Sequence, residues 1–320
     1  MTTTTPDPAR TAGTTELPPL AAAVPLLREI GDLKRVRDAA GPGSLADRAF
    51  LRSWRRLLAG QDAGRVAADE TARALTAARL GGIDAAVLRL AGLTPQDVRV
   101  VLRRSADAAV ASAGETLGEL SDVLDAIGDD SLVEGTLPSP PPFAVALVHQ
   151  PRAGATHPTR ARVLVEPPES HGDHCFVTAV YSSLLAPAQG VRRGDAFLVA
   201  LAHHLANADL PDAGFGGELL LGEHLPAVFA ALTERSLAQL PSALSLRLRE
   251  LLPQRETTGT AIGRVFNAAD VLDRVLQVHH HARAAAFTAE QALDDLDLVH
   301  PGPVQGFQLR VLSDAGLPVR

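Results

Sequence analysis

Apolar residues recur at three- and four-residue steps along most of the chain, the spacing that lines one face of a helix. The clearest case is Phe50, Leu51, Trp54, Leu57 and Leu58, which follow a Ser44-x-x-Asp47 helix start and precede Gly60, a natural stop. The same pattern predicts helices over 66–80, ended by Gly81-Gly82, and over 83–90. Thr94-Pro95 then opens a long helical segment carrying Val98, Val101 and Leu102, which Gly114 breaks before a further helix over 117–127. Pro138-Ser139-Pro140-Pro141-Pro142 interrupts the helical pattern. Short strands are expected at 143–148 and 161–165. Beyond them helices are predicted over 171–186, 195–208, 217–240, 243–252, 259–286, 289–298 and 304–315.

The pattern therefore predicts a mainly α fold in four parts. Residues 1–16, rich in Thr and Pro, are expected as a disordered tail. Residues 17–127 form an N-terminal helical module, 128–165 a proline-rich linker or crossing, and 166–320 a second helical domain. No internal repeat is evident.

Composition narrows the function classes. The 320 residues suffice for a sizeable core, and 46% hydrophobic against 21% charged residues describes a globular chain. Only 3% are aromatic, so the helix faces are built from Ala, Leu and Val. A net charge of −7 argues against general nucleic-acid binding, which needs a basic face. Cys175 is the single cysteine, which excludes an intramolecular disulfide and a cysteine zinc finger. No apolar run is long enough to span a membrane, and the start lacks the pattern of a signal peptide, so the expected location is the cytoplasm. The single lysine, Lys34, set against many arginines, reads as high-GC coding bias before it reads as function. Residues 17–127 contain no histidine and read as a packing module or a homodimer surface.

All eleven histidines lie at or after His149, and five fall between 171 and 224. Neutral imidazole is a common metal ligand near neutral pH, so the clustering suggests a metal site. His174 shares a helix face with Val177, Tyr181 and Leu184 and points inward. His203 and His204 are adjacent on a second helix, with Asn207 one turn on. On the long helix over 259–286, Asp273 falls near the centre of the apolar stripe and Asp270 at its edge. A carboxylate facing a core needs a partner. Asp212 and Glu218, in a turn-rich stretch, are candidate general bases, and Gly214, Gly216 and Gly217 suggest either a flexible turn or a close approach of phosphate to backbone N–H groups. Cys175 reads as a buried spectator rather than a nucleophile.

These residues carry a resemblance. Asp173-His174-Cys175-Phe176, Leu201-Ala202-His203-His204 and Asn267-Ala268-Ala269-Asp270 resemble the three motif helices of the HD-domain superfamily of metal-dependent phosphohydrolases, over roughly 165–285. The resemblance implies an HD-like helical domain holding a divalent ion (Mn, Fe, Zn, Co or Mg) through His174, His203 and Asp270, and a small phosphorylated substrate such as a nucleotide. One departure stands out: His204 occupies the place of the family's aspartate, and an imidazole does not bridge two ions as a carboxylate does. His171, His204 and His224 are further candidate ligands, with Glu218 or Asp212 handling the proton. The stretch from His203 to Glu218 also resembles, more distantly, the zinc motif of a ubiquinone-biosynthesis family, with Asn207 where that motif has histidine. Two alternatives stay open: a diiron oxygenase of related fold, and a non-catalytic module serving signalling or assembly.

Overall fold

The structure, a computed structural model, describes residues 20–128, 137–286, 299 and 305–314. The expected N-terminal tail and the expected helix at 289–298 lie outside the described residues. Among the described residues the fold is mainly α, with one two-stranded antiparallel hairpin. The helices are α1 (Val24–Gly31), α2 (Leu45–Leu58), α3 (Ala63–Leu80), α4 (Ala85–Leu90), α5 (Pro95–Val110), α6 (Ser121–Asp125) and α7 (Pro142–His149). The hairpin strands β1 (Ala155–His157) and β2 (Arg160–Val163) follow. Then come α8 (His171–Leu185), α9 (Arg193–Ala202), α10 (Gly214–Glu218), α11 (Leu225–Leu237), α12 (Ser242–Leu251), α13 (Ala261–Ala285) and α14 (Gln305–Asp314). Among the described residues no helix is long and apolar enough to cross a membrane.

The centre of the fold is the pair α8 and α9. Every residue of α8 is buried, including its histidines, and α9 is buried except at Asp195. Helices apolar on all sides belong in the middle of a bundle. Around them, α2, α3 and α7 pack on α8, and α3 and α12 pack on α9. The described residues through Arg274 belong to one compact unit and those from Val275 onward to another. That boundary differs from the expected divisions at 127 and 165. The reason lies in α8, which has no solvent-facing side and draws N-terminal helices onto itself.

The N-termini of α2 and α8 show this most clearly. Ser44 caps α2 and Ser170 caps α8, each in a complete capping box with Asp47 or Asp173 three residues on. The boxes are cross-linked: Ser44 Oγ donates to Asp173 Oδ1, and Ser170 Oγ donates to Asp47 Oδ1 at 2.5 Å. Gly172 permits the approach, since a Cβ there would meet Val148 Cγ1 at 2.5 Å and Asp47 Oδ1 at 3.0 Å. Tyr181 on α8 donates its hydroxyl to Leu27 O on α1, and Thr71 on α3 bonds Ser183 on α8 at 2.7 Å.

Three elements differ from the sequence pattern. The strand expected at 143–148 is helix α7; Pro142 starts it at the first turn, where proline costs no hydrogen bond. The helix expected over 195–208 ends at Ala202, and a 3-10 turn, Leu205–Ala208, follows the histidine pair. The helix expected over 217–240 is broken at Gly222, which takes a φ of 54°, and resumes as α11 with Pro226 in its first turn.

Candidate metal centre

Three elements bring His174, His203 and Asp270 together. His174 lies in the first turns of α8, which the Ser170 cap fixes. His203 sits where α9 ends, its ring turned back onto the Ala200 carbonyl of the last turn. Asp270 projects from α13. His174 Nε2 is 3.1 Å from His203 Nε2 and 3.2 Å from Asp270 Oδ1, and His203 Nε2 is 4.0 Å from the same oxygen. Those three separations define a circle with a radius of about 2.0 Å, the length of a bond from a first-row divalent ion to imidazole nitrogen or carboxylate oxygen. A point one such bond from all three atoms therefore exists.

The hydrogen bonds behind the rings set the tautomers. His174 Nδ1–H donates to Asp273 Oδ2 at 2.6 Å, and His203 Nδ1–H donates to Ala200 O at 2.6 Å. In the neutral form each ring then turns its Nε2 lone pair toward the other and toward Asp270. In that form three acceptor atoms converge, an arrangement that a proton or a metal cation completes. Asp273 orients His174 as an outer carboxylate orients a ligating histidine. It is 1% exposed and takes its own charge partner from Lys34, whose Nζ lies 2.6 Å from Oδ1 and 2.7 Å from Oδ2. Lys34 also donates to Glu169 Oε2 at 2.7 Å. His174 and His203 also converge with His204, and Glu169, His174 and Asp273 form a further convergent set, but in the latter the lysine already supplies the cation.

The other expected residues divide. His204 lies beside the first three, its ring centre 4.2 Å from that of His203 and 5.3 Å from that of His174. Its Nδ1–H donates to Asn207 Oδ1 at 2.8 Å, and its Nε2 accepts from Arg152 Nη1 at 2.6 Å. His171 is fully buried. It donates Nδ1–H to Gln150 O at 3.0 Å and leaves Nε2 without a hydrogen bond, 3.5 Å from Asp212 Oδ2. Asp212 accepts from the backbone N–H groups of Ala153 at 2.9 Å and Gly214 at 2.8 Å, so it shapes the turn that carries it. Glu218 is half-buried in the field of Asp212 and Arg152. His224 is exposed at the end of the 3-10 turn Leu219–His224 and stands apart from the convergent sets. Gly222 turns the chain just before it. Gly214 and Gly216 serve a close approach: a Cβ on Gly214 would meet Thr156 Oγ1 at 2.4 Å, and one on Gly216 the His157 carbonyl at 3.1 Å.

Burial sets the charge states. It holds the His203 and His204 pKa values well below the ordinary imidazole range, helped by neighbouring histidines, and it brings His171 down to about 4, with Arg152 adding to the effect. These rings are neutral near pH 7, the form that ligates. Burial works against the charge on Asp270, but the neighbouring His174, His203 and Arg274 outweigh it and hold the carboxylate far below its usual range. Burial likewise opposes the Lys34 charge, and Asp273 and Glu169 together keep its pKa raised. Burial raises the Glu218 carboxyl, and the Asp212 charge adds to it. Cys175 is fully buried and its thiol is driven far up, which fits a spectator.

Sequence reasoning missed Lys34, Arg152, Glu169 and Arg255. Arg255 donates to the His203 carbonyl at 2.6 Å. The one signal available was the carboxylate at Asp273, which demanded a partner that the pattern did not name. No protein-family model, curated protein or solved structure matches the chain.

Proposed function

We propose that the protein is a metal-dependent hydrolase of a phosphate ester, with an HD-like centre formed by His174, His203 and Asp270. The observation that carries this reading is the convergence of two Nε2 lone pairs and one carboxylate oxygen at bonding distance from a common point. A divalent ion held there would polarise a phosphoryl oxygen and acidify its water. The chain's own groups supply the rest. Arg152 on His204, Arg255 on the His203 carbonyl and Arg274 on Asp270, the last at 3.0 Å, put three guanidinium groups on the site residues, where they favour an anionic substrate. Glu218, with its raised pKa, accepts the proton that hydrolysis releases. Asp273 and Ala200 O hold the two ligating rings in the tautomer that keeps Nε2 free.

The test is metal analysis of protein purified without chelator, beside a His203→Ala variant, followed by a panel of phosphomonoesters and nucleotides with Mn²⁺, Fe²⁺, Co²⁺ and Zn²⁺. Bound metal and turnover, both lost in a variant that still folds, support the reading. Protein that neither retains nor takes up any of these ions overturns it.

A further inference from the structure

Away from the centre, a cavity of about 720 Å³ opens between α2, α3 and the start of α4. None of His174, His203 and Asp270 lines it. The volume falls within the usual span of small-molecule sites, about 300–1,000 Å³, whose walls are mostly apolar with a few placed polar groups. Leu33, Leu102, Ile127 and Phe176 supply apolar wall. Ile83 and Val87, also in the lining, remain 45% and 46% exposed. The carboxylates of the lining are already committed. Asp38 pairs with Arg48 at 2.7 Å, Asp69 pairs with Arg56, and Asp84 accepts from the Val87 N–H as the cap of α4. The arginines of the lining divide. Arg48 has Asp38, Arg52 grips Glu70 at 2.6 and 3.0 Å, and Arg55 donates to the carbonyls of Leu137 and Pro138. Arg73 is half-buried in the field of Glu70, but Arg52 and Arg56 hold that carboxylate. Arg73 itself makes no hydrogen bond or ion pair among the described residues.

We propose that this cavity binds an organic anion with an apolar tail, its carboxylate or phosphate head on Arg73 and its tail against Ile83, Val87 and the apolar wall. A guanidinium presents a planar fork of N–H donors that matches either head group, and it stays charged at any working pH. An inorganic anion would satisfy Arg73 and leave the apolar lining wet. A neutral apolar molecule would cover Ile83 and Val87 and leave the guanidinium beside low-dielectric walls without a counter-charge. A ligand carrying both halves answers both features. A cation is disfavoured, since each carboxylate of the lining already faces a donor. The site needs no metal, so it stands or falls apart from the reading of His174, His203 and Asp270.

The experiment is calorimetric titration of the full chain, in the presence of chelator, with probes kept below their micelle-forming concentrations. The probes are decanoate, decyl phosphate, uncharged decanamide and inorganic phosphate. Fluorescence of Trp54, the single tryptophan, follows the same titrations. Wild-type protein is expected to bind one equivalent of decanoate or decyl phosphate, and the tighter of the two identifies the head group. That probe should bind at least about tenfold more tightly than decanamide or inorganic phosphate, the worth of a charge-assisted hydrogen bond. Arg73→Ala is expected to bring its affinity down to that of decanamide while decanamide itself is unmoved, and Arg73→Lys to keep part of the preference. Val87→Asn is expected to weaken all tailed probes alike. Thermal melts report whether each variant is folded, and should Arg73→Ala unfold, Arg73→Gln is read in the same way. Equal affinity for the tailed anions and decanamide, a preference that survives the loss of Arg73, inorganic phosphate as tight as decyl phosphate, or no binding of any tailed probe overturns the assignment.

Discussion

Lys34 grips both carboxylate oxygens of Asp273, at 2.6 and 2.7 Å, across 239 residues of sequence. Both side chains are almost fully buried, and Asp273 passes the contact on to His174 at 2.6 Å. The N-terminal segment thereby supplies the cation that holds the outer carboxylate of the candidate centre. Removing one partner of such a pair strands a buried charge, which costs about 3–5 kcal/mol. Lys34→Met is expected to lose stability of that order in urea unfolding, and adding Asp273→Asn is expected to restore part of it. A single variant as stable as wild type, or a double variant whose loss is the sum of the two, would show that the pair is not coupled.

That contact also marks what the sequence disclosed. The helix over Leu45–Leu58 follows from its stripe and its Ser44-x-x-Asp47 start, because capping and periodicity are local. His174, His203 and Asp270 were grouped by the resemblance to the HD-domain motif helices, while the helix pattern by itself placed His174 inward and Asp270 at the edge of its stripe. Asp273 was legible as a carboxylate in need of a partner, since the face carrying Val265 and Ala269 runs into it. Its partner was not, because no local pattern points from a 3-10 turn at Asp32–Lys34 to a helix more than 200 residues away. Arg152 was hidden for a related reason: it lies on an irregular stretch between α7 and the hairpin, where no period applies. The division of the chain at 127 and 165 assumed that a proline-rich stretch separates modules. Pro142 instead begins a helix that packs on α8.

Asp273 acts on a ligating ring and touches none of the converging atoms directly. Outer carboxylates of this kind tune affinity without creating the site, and their loss weakens metal binding about 10–100-fold. Asp273→Asn is expected to shift Zn²⁺ affinity by that factor with the bound stoichiometry unchanged. Asp270→Asn, which alters a converging atom, is expected to lower the stoichiometry itself. Equal effects from the two would contradict the division of roles between them.

The cross-linked caps of α2 and α8 give the fold a pH signature. Burial, with the charge of Asp47 beside it, raises the Asp173 carboxyl from 3.8 to about 7. A folded-state pKa above the unfolded one means that the native state holds the proton more tightly. The Asp173 contribution is therefore fully present below about pH 4 and is lost as the pH rises to about 7. Asp173→Asn stays neutral throughout. Relative to wild type, that variant is expected to gain stability progressively between about pH 4 and pH 7 and to level off above. Urea midpoints across this window, in the presence of chelator, measure the difference. A difference independent of pH would place the Asp173 pKa near its ordinary value.

Glu218 and Asp212 both stand near Arg152, and their surroundings assign them different work. Asp212 is tied to two backbone N–H groups, at 2.8 and 2.9 Å, and fixes the turn after Pro211. Glu218 makes no hydrogen bond or ion pair among the described residues, and its carboxyl is raised by burial and by the Asp212 charge. A group that accepts protons should be free of fixed donors and hold its pKa toward the working pH. Glu218→Gln is expected to lower kcat about 10²–10⁴-fold, the usual contribution of a general base, and to flatten the acidic limb of the pH–rate profile while metal content and fold stay intact. Asp212→Asn is expected to act differently, because the amide keeps one accepting oxygen and its NH₂ group cannot accept from the second backbone N–H. It should destabilise the turn, with loss of activity tracking loss of structure in thermal melts. A Glu218→Gln enzyme with wild-type kcat would move the proton acceptor elsewhere, and an Asp212→Asn enzyme that is stable but slow would make Asp212 the base.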